Sequence, residues 1–357
     1  SPGLNEHQKA VYEADIRKNL SVVAGPGTGK THTLVLRVAR LIQQESIVPA
    51  SILVLAYNRS VAEELRIRLK ELFTRLGYKS LINSLQIYTF HGLMGAVLKE
   101  NGKEVELSKW EDEFISLYER EGRRCLKKFE KVQYVFVDEF QDITQKRLNI
   151  LKYVAPKERV YITVIGDPNQ SIYGYERADQ GGSRSPEPYY LDFDNVYHPE
   201  HKFLEVNYRS TENIIAASEK VLGDQLGDLK IVPFNQVIEE SVFEIGEEED
   251  WLTKLIPLLI NDEVMETAVL FRTNEELYKD FYKLKYLGQK LNVEVEIKGS
   301  TSQFASSREV SRIIEVLLDK KGGEEISKEF VSKNVIEKVK KTYPKWDINI
   351  IDNLYLV

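Results

Sequence analysis

The chain has 357 residues, 42% hydrophobic and 29% charged, with a formal net charge of −7, which is length for about two domains. That acidity excludes a protein that is basic all over, so nucleic-acid binding would need a local basic lining. The single cysteine, Cys125, excludes an intrachain disulfide framework. Apolar runs such as 52–56 and 132–137 fall far short of the roughly 20 residues a membrane span needs. A cytoplasmic protein with no membrane partner is expected. The opening Ser1-Pro2-Gly3 carries neither methionine nor a charged-then-apolar leader and reads as the start of a processed or excised piece.

In chain order, Leu4-Asn5-Glu6-His7-Gln8 comes first, and its Gln8 amide either pairs with the edge of a base or faces solvent. Leu20–Ala24 then reads as a buried strand running into Ala24-Gly25-Pro26-Gly27-Thr28-Gly29-Lys30-Thr31. The three glycines let the backbone turn tightly and aim N–H groups at phosphate oxygens, Lys30 supplies a point charge, and Thr31 offers a hydroxyl to Mg2+. Ala24 replaces the usual first glycine of this pattern. Leu34, Val38, Leu41 and Ile42 follow at helical spacing, as a helix behind such a loop requires.

Further strands are expected at Ile52–Tyr57, Leu85–Phe90, Tyr134–Asp138, Val160–Gly166 and Phe203–Asn207, giving an α/β domain with a largely parallel sheet and its ligand along the C-terminal strand ends. Between about 92 and 131 lies a helical insertion, read as a small subdomain, with Trp110, Phe114, Leu117 and Tyr118 on one face. Its basic run Arg120, Arg123, Arg124, Lys127, Lys128 either tracks a phosphate backbone or is a solvated helix face, the second being favoured.

Val135-Phe136-Val137 ends in Asp138-Glu139, which suit the pair that holds Mg2+ and polarises the attacking water in phosphate-loop enzymes. Val164-Ile165-Gly166-Asp167-Pro168-Asn169-Gln170 is another strand-to-loop transition, built for turning, in which Gln170 could sense a γ-phosphate. Tyr173 and Tyr175 either present rings to bases or pack on the sheet. The Gly-, Ser- and Pro-rich stretch 179–199 reads as a loop or linker with a boundary in it. Asn207-Tyr208-Arg209-Ser210 ends the next strand, and Arg209 could reach a transferring phosphate or form a surface ion pair. Beyond it, strands are expected at Val242–Ile245, Ala268–Phe271 and Val293–Ile297, with helices around Trp251–Ile260 and Glu275–Lys290. With five scattered His and one Cys, no structural zinc is expected.

Taken together, Leu4–Gln8, Ala24–Thr31, Tyr88-Thr89-Phe90-His91, the acidic box Asp138-Glu139-Phe140-Gln141-Asp142, Gly166 to Gly174 and Asn207–Ser210 resemble, in this order, the motifs of UvrD/Rep/PcrA-type superfamily 1 DNA helicases. The resemblance implies a RecA-like phosphate-loop domain over 1–200 and a partial or variant second RecA-like domain over 201–357. It implies an ATPase and helicase that moves on single-stranded DNA, 3′ to 5′, and opens tailed duplexes, with a monomer as the default state. It assigns Gln8 to adenine, the loop residues 24–31 to the phosphates, Thr31 and Asp138 to Mg2+, Glu139 to the attacking water and Gln170 to coupling. Tyr208 would stack on adenine, and Arg209 would be an arginine finger from the second motor domain. Tyr57, Asn58, His91 and Tyr175 would line the DNA track, where Glu176 replaces the basic contact many members have. Two expected segments, Thr-x-His-x-x-Lys-Gly-Leu-Glu and Thr-Arg-Ala, do not occur between Ser300 and Val357, so a nucleotide-dependent DNA-binding adaptor is the alternative.

Overall fold

The structure is a computed structural model, and it describes residues 3–78, 83–223, 230–234, 268–271, 277, 281, 284, 285, 288 and 294–296. The chain divides into two compact units, Ser1–Phe243 and Glu244–Val357. The first unit contains, in order, α1 (Glu6–Glu13), β1 (Leu20–Ala24), α2 (Lys30–Gln43), β2 (Ile52–Ala56), α3 (Arg59–Arg75), β3 (Gln86–Thr89), α4 (Phe90–Glu100), α5 (Trp110–Glu121), β4 (Tyr134–Val137), α6 (Gln145–Val154), β5 (Tyr161–Gly166), α7 (Gly174–Asp179), α8 (Glu187–Tyr197), β6 (Glu200–Leu204), β7 (Val206–Asn207), α9 (Glu212–Leu222) and β8 (Val232–Pro233).

Six strands form one sheet in the order β3-β2-β4-β5-β1-β6, and every pairing in it is parallel. Such strands are covered on both faces, which is why β2 and β4 are apolar and buried throughout. Strand alternation then sorts the core into two layers. Leu53, Leu55, Val135, Val137, Ile162 and Val164 face α4, α5, α6 and α8. Val22, Ile52, Val54, Phe136 and Ile165 face α2 and α3. The helix face expected after the loop is in place, since Leu34, Val38, Leu41 and Ile42 are buried on α2. On the same helix the buried Arg37 donates to the carbonyls of Val11 (2.8 Å) and Ala14 (2.9 Å), fastening the C-terminal end of α1. Burial, and after it Arg40, pulls its pKa down to about 10.

Three sequence readings change. The helical insertion is not a separate subdomain, because Leu93, Met94, Val97, Phe114, Leu117 and Phe129 share one core with the sheet strands. Part of 179–199 is not linker but α8, whose Tyr189, Phe193 and Tyr197 are buried in that same core. The strand expected at Phe203–Asn207 is split: β6 pairs with β1, whereas β7 leaves the sheet and pairs in parallel with β8. The basic run contributes Cys125, Leu126 and Phe129 to the core as a kinked 3-10 segment, with Arg124, Lys127 and Lys128 exposed.

In the second unit, residues 277, 281, 284, 285 and 288 are helical, within the span expected as a helix, and 268–271 and 294–296 are not part of a strand. The elements expected at Val242–Ile245 and Trp251–Ile260 lie outside the described residues.

Candidate functional site

The parallel register aligns the strand ends, setting Val23 beside Gly166 and Leu55 beside Val137, so the loops leaving the strands meet at one edge. After β1, Gly27 and Gly29 adopt φ of +67° and +82°, a conformation that glycine reaches without penalty. The turn they make carries Lys30 Nζ to the carbonyls of Ala24 (3.3 Å) and Gly25 (3.4 Å), while the Thr28 hydroxyl donates to Gly25 (2.8 Å) and braces the loop. Gly29 also caps the N-terminus of α2, where free N–H groups and the helix dipole favour an anion. Ala24 ends the buried strand and stands where the pattern has its first loop glycine.

Thr31 Oγ1 donates to Asp138 Oδ2 at 3.3 Å, joining the loop to the end of β4 across the sheet. Asp138 is 1% exposed and has no ion-pair partner among the described residues. Burial, and then the adjacent Glu139 carboxylate, pushes its pKa up to about 7. A hydroxyl and a carboxylate side by side, the latter lacking a cation, are the donor set a divalent cation such as Mg2+ takes. Glu139 lies in the left-handed region, at φ 52° and ψ 48°. That twist turns the chain into the 3-10 segment Phe140–Asp142, and Gln141 Nε2 donates to Glu139 Oε2 (2.8 Å).

Gln141 is a residue that sequence reasoning did not single out, although the acidic box contains it. Its other amide atom, Oε1, accepts from the backbone N–H of Asp167 (3.0 Å), so one side chain sets Glu139 against the end of β5. Gln141 is itself held by the fully buried Arg177, which donates to its carbonyl (2.9 Å), to Ser171 Oγ (2.6 Å) and to the carbonyls of Ser183 and Arg184. Burial raises the pKa of Asp167, and burial followed by Glu139 raises that of Asp142 to about 7. Asp167 Oδ1 accepts from Asn169 N–H and shapes the turn that ends in Gln170. Asp142 Oδ1, Asp167 Oδ2 and the hydroxyl of Tyr190 are buried without hydrogen-bond partners.

The side of the loop expected to take adenine is assembled by contacts that only the fold reveals. Gln8 is buried, not solvent-facing; it closes a capping box with Asn5 and donates Nε2 to the Thr28 carbonyl (3.1 Å). Asn5 Nδ2 donates to the Tyr208 hydroxyl (2.7 Å), and the Tyr208 ring lies 4.7 Å from that of Phe234. Asn207, also missed from sequence, clasps the loop: Nδ2 donates to the Pro26 carbonyl (2.8 Å), and Oδ1 accepts from the N–H groups of Arg209 and Ser210, both 2.8 Å. A Cβ on Gly27 would come within 2.7 Å of Arg209 Cβ, so Arg209 emerges directly over the loop. The sequence expectation placed this arginine in the second motor domain. Arg209 falls within the compact unit Ser1–Phe243, beside Asn207 and Tyr208, which bond the loop carbonyls of Pro26 and Gly27.

The expected DNA-facing residues occupy the other half of the same edge. Tyr57 follows β2, and Asn58 caps α3 by accepting from Val61 N–H (2.9 Å). His91 sits in the first turn of α4, where burial and then Arg147 lower its pKa. Tyr57, Tyr173 and Tyr175 form a row with ring centroids 4.8 and 6.0 Å apart, ending in Tyr175 at 55% exposure. No helix among the described residues is long and apolar enough to cross a membrane, and they contain no cluster of three metal-ligating side chains.

A six-stranded parallel α/β sheet with a glycine-rich loop at β1 and an acidic pair at β4 defines a RecA-like phosphate-loop domain. The UvrD/REP helicase N-terminal domain family matches residues 4–129 and 121–185, just over half of the chain, and the chain belongs to that family. It is 26% identical over 284 residues to the ATP-dependent DNA helicase PcrA of Staphylococcus epidermidis, covering 57% of this chain and 38% of that protein. It is 24% identical over 373 residues to DNA helicase II of Haemophilus influenzae, covering 77% and 49%. It is 40% identical over 106 residues to the ATP-dependent DNA helicase SRS2 of Saccharomyces cerevisiae, covering 30% and 9%. The chain thus spans about half or less of these relatives. Among solved structures, the Pif1 helicase from Candida albicans aligns at a TM-score of 0.37 and 15% identity over 56% of this chain and 39% of that one.

Proposed function

We propose that this chain hydrolyses ATP and uses the cycle to move along single-stranded DNA. The observation that carries the reading is the Thr31–Asp138 contact, 3.3 Å across a sequence separation of 107 residues, because it brings a phosphate loop and a paired acid into one cluster. In this reading Thr31 and Asp138 hold Mg2+, which when bound neutralises charge on the β- and γ-phosphate oxygens. Lys30 turns from the loop carbonyls to those phosphates. Glu139, aligned by Gln141, accepts the proton of the attacking water, and Gln170 faces the transferring group. Arg209 stabilises charge at the γ-phosphate. Tyr208 takes one face of adenine and Gln8 its edge.

Tyr57, Asn58, His91 and Tyr175 form the DNA track, where stacking tolerates any base, as a stepping motor requires. We place a second RecA-like domain, partial or variant, in the C-terminal part of the chain, with travel 3′ to 5′ and opening of tailed duplexes as its output. ATP turnover with and without single-stranded DNA tests the reading, followed by strand displacement on a tailed duplex. Lys30→Ala and Glu139→Gln should each abolish DNA-stimulated turnover, and unchanged turnover in either rejects the site. Slow turnover indifferent to DNA assigns the chain to the adaptor alternative.

A further inference from the structure

We infer that Glu176 sets how tightly this chain holds a single strand, by occupying with its own carboxylate the edge of Arg147 that would otherwise bind a backbone phosphate. The inference rests on the reading of Tyr57 and Tyr175 as the nucleic-acid track. Glu176 Oε2 receives two donors, the Tyr57 hydroxyl at 3.0 Å and Arg147 Nη1 at 3.3 Å. A hydroxyl and a guanidinium on one anionic oxygen are the partners a phosphodiester oxygen takes. Arg147 is 8% exposed beneath Glu176, with its guanidinium 5.2 Å from the centre of the Tyr57 ring at the inner end of the aromatic row.

Arg147 does not depend on Glu176 for its position. Its Nε is bound by Glu111 Oε1 at 3.1 Å, and Glu111 Oε2 is steadied by Gln180 Nε2 at 3.2 Å. Exchanging Glu176 for a neutral amide therefore leaves the guanidinium in place, with Nη1 on a weak neutral acceptor that an anionic phosphate oxygen displaces. The local charge changes in the same direction. Arg147 faces both Glu111 and Glu176, a net charge of −1 that repels an incoming phosphate; with an amide at 176 these three side chains sum to zero and the donor edge of Arg147 is held only by a neutral oxygen. In the protein as it stands, binding of a strand here runs on stacking along the tyrosine row, with this arginine withheld.

The test is anisotropy of a labelled oligothymidine on the full chain, titrated across salt. Glu176→Gln keeps the size of the side chain and the acceptor for Tyr57, and should bind about tenfold tighter at low salt, with a log-affinity against log-salt slope steeper by about 0.7, the value of one added phosphate contact on a single strand. Glu176→Asp keeps the charge and should remain close to wild type. Adding Arg147→Gln to Glu176→Gln should return both affinity and slope to the wild-type values. Wild-type binding with no gain in Glu176→Gln, or a gain that survives loss of Arg147, overturns the inference and leaves the track standing. Absence of binding in wild type and in every variant, with unaltered thermal midpoints, removes the track and this inference with it.

Discussion

Asp138→Asn is expected to make the first unit more stable at pH 8 while it removes the carboxylate proposed to hold the metal. Folded Asp138 keeps its proton up to about pH 7, against 3.8 for the ordinary side chain. Between these values the folded state binds more protons than the unfolded chain, so this group's contribution to stability is full below about 3.8 and declines as pH rises through 7. A separation of roughly three units at ~1.4 kcal/mol each sets an upper bound near 4 kcal/mol, and relaxation around the buried charge reduces it to about 2–4 kcal/mol. Asparagine can still accept from Glu139 N–H, which Asp138 does at 3.0 Å, so the turn survives the exchange. Because the chain has two units, native-state hydrogen exchange of the β4 amides, in chelator and without nucleotide, reads the first unit alone. Those amides should exchange at least ~30-fold more slowly in the variant at pH 8, with the difference vanishing near pH 4. Equal exchange at pH 8, or a gain as large at pH 4, would refute the argument that an uncompensated charge sits at the end of β4.

Gly27→Ala should weaken nucleotide binding, read with a fluorescent ATP analogue. It forces a side chain into φ +67°, about 1–2 kcal/mol of strain, and sets its Cβ 2.6 Å from Asn207 Oδ1; unchanged affinity would show that the clasp yields freely. Asn207→Ala strips partners from the Pro26 carbonyl and from the Arg209 and Ser210 N–H groups. It should lower stability by about 1–3 kcal/mol in denaturant titration and slow turnover through Arg209, whereas a wild-type midpoint would dismiss the clasp as incidental. Tyr190→Phe deletes a fully buried hydroxyl with no partner and should stabilise by about 1 kcal/mol; a loss of stability would mean that the hydroxyl is satisfied in solution.

What the sequence disclosed was whatever is local. The phosphate loop is one contiguous run of strand, turn and helix, and the acidic pair sits at the end of an apolar strand, so both could be read without the fold. Five of the six strands expected in the first unit came within about a residue because buried parallel strands are short apolar runs bounded by turn residues, whereas the sixth, expected at Phe203–Asn207, begins at Glu200 and its end leaves the sheet. α8 was hidden because Gly181, Gly182, Pro186 and Pro188 signal a loop, even though Tyr189, Phe193 and Tyr197 recur at helical spacing and fill the core. The insertion was taken for a subdomain because helical spacing shows that a face is buried but not against what. Gln141, Asn207 and Arg177 escaped notice because each bonds backbone distant in sequence, a role that neither the motifs holding Gln141 and Asn207 nor the surroundings of Arg177 disclose. Of the two readings left open for Gln8, solvent exposure fails, because the loop that buries it lies 20 residues downstream.

Glu139 is one of only three non-glycine residues at positive φ among those described, with Ser46 and His198. Glycine is at ease in that backbone shape, so replacement of this glutamate by glycine would relax the corner while deleting the proposed base. Selection for sturdiness and selection for turnover therefore pull this single codon in opposite directions. In the proposed reading, one exchange at this corner would steady the turn and end hydrolysis together.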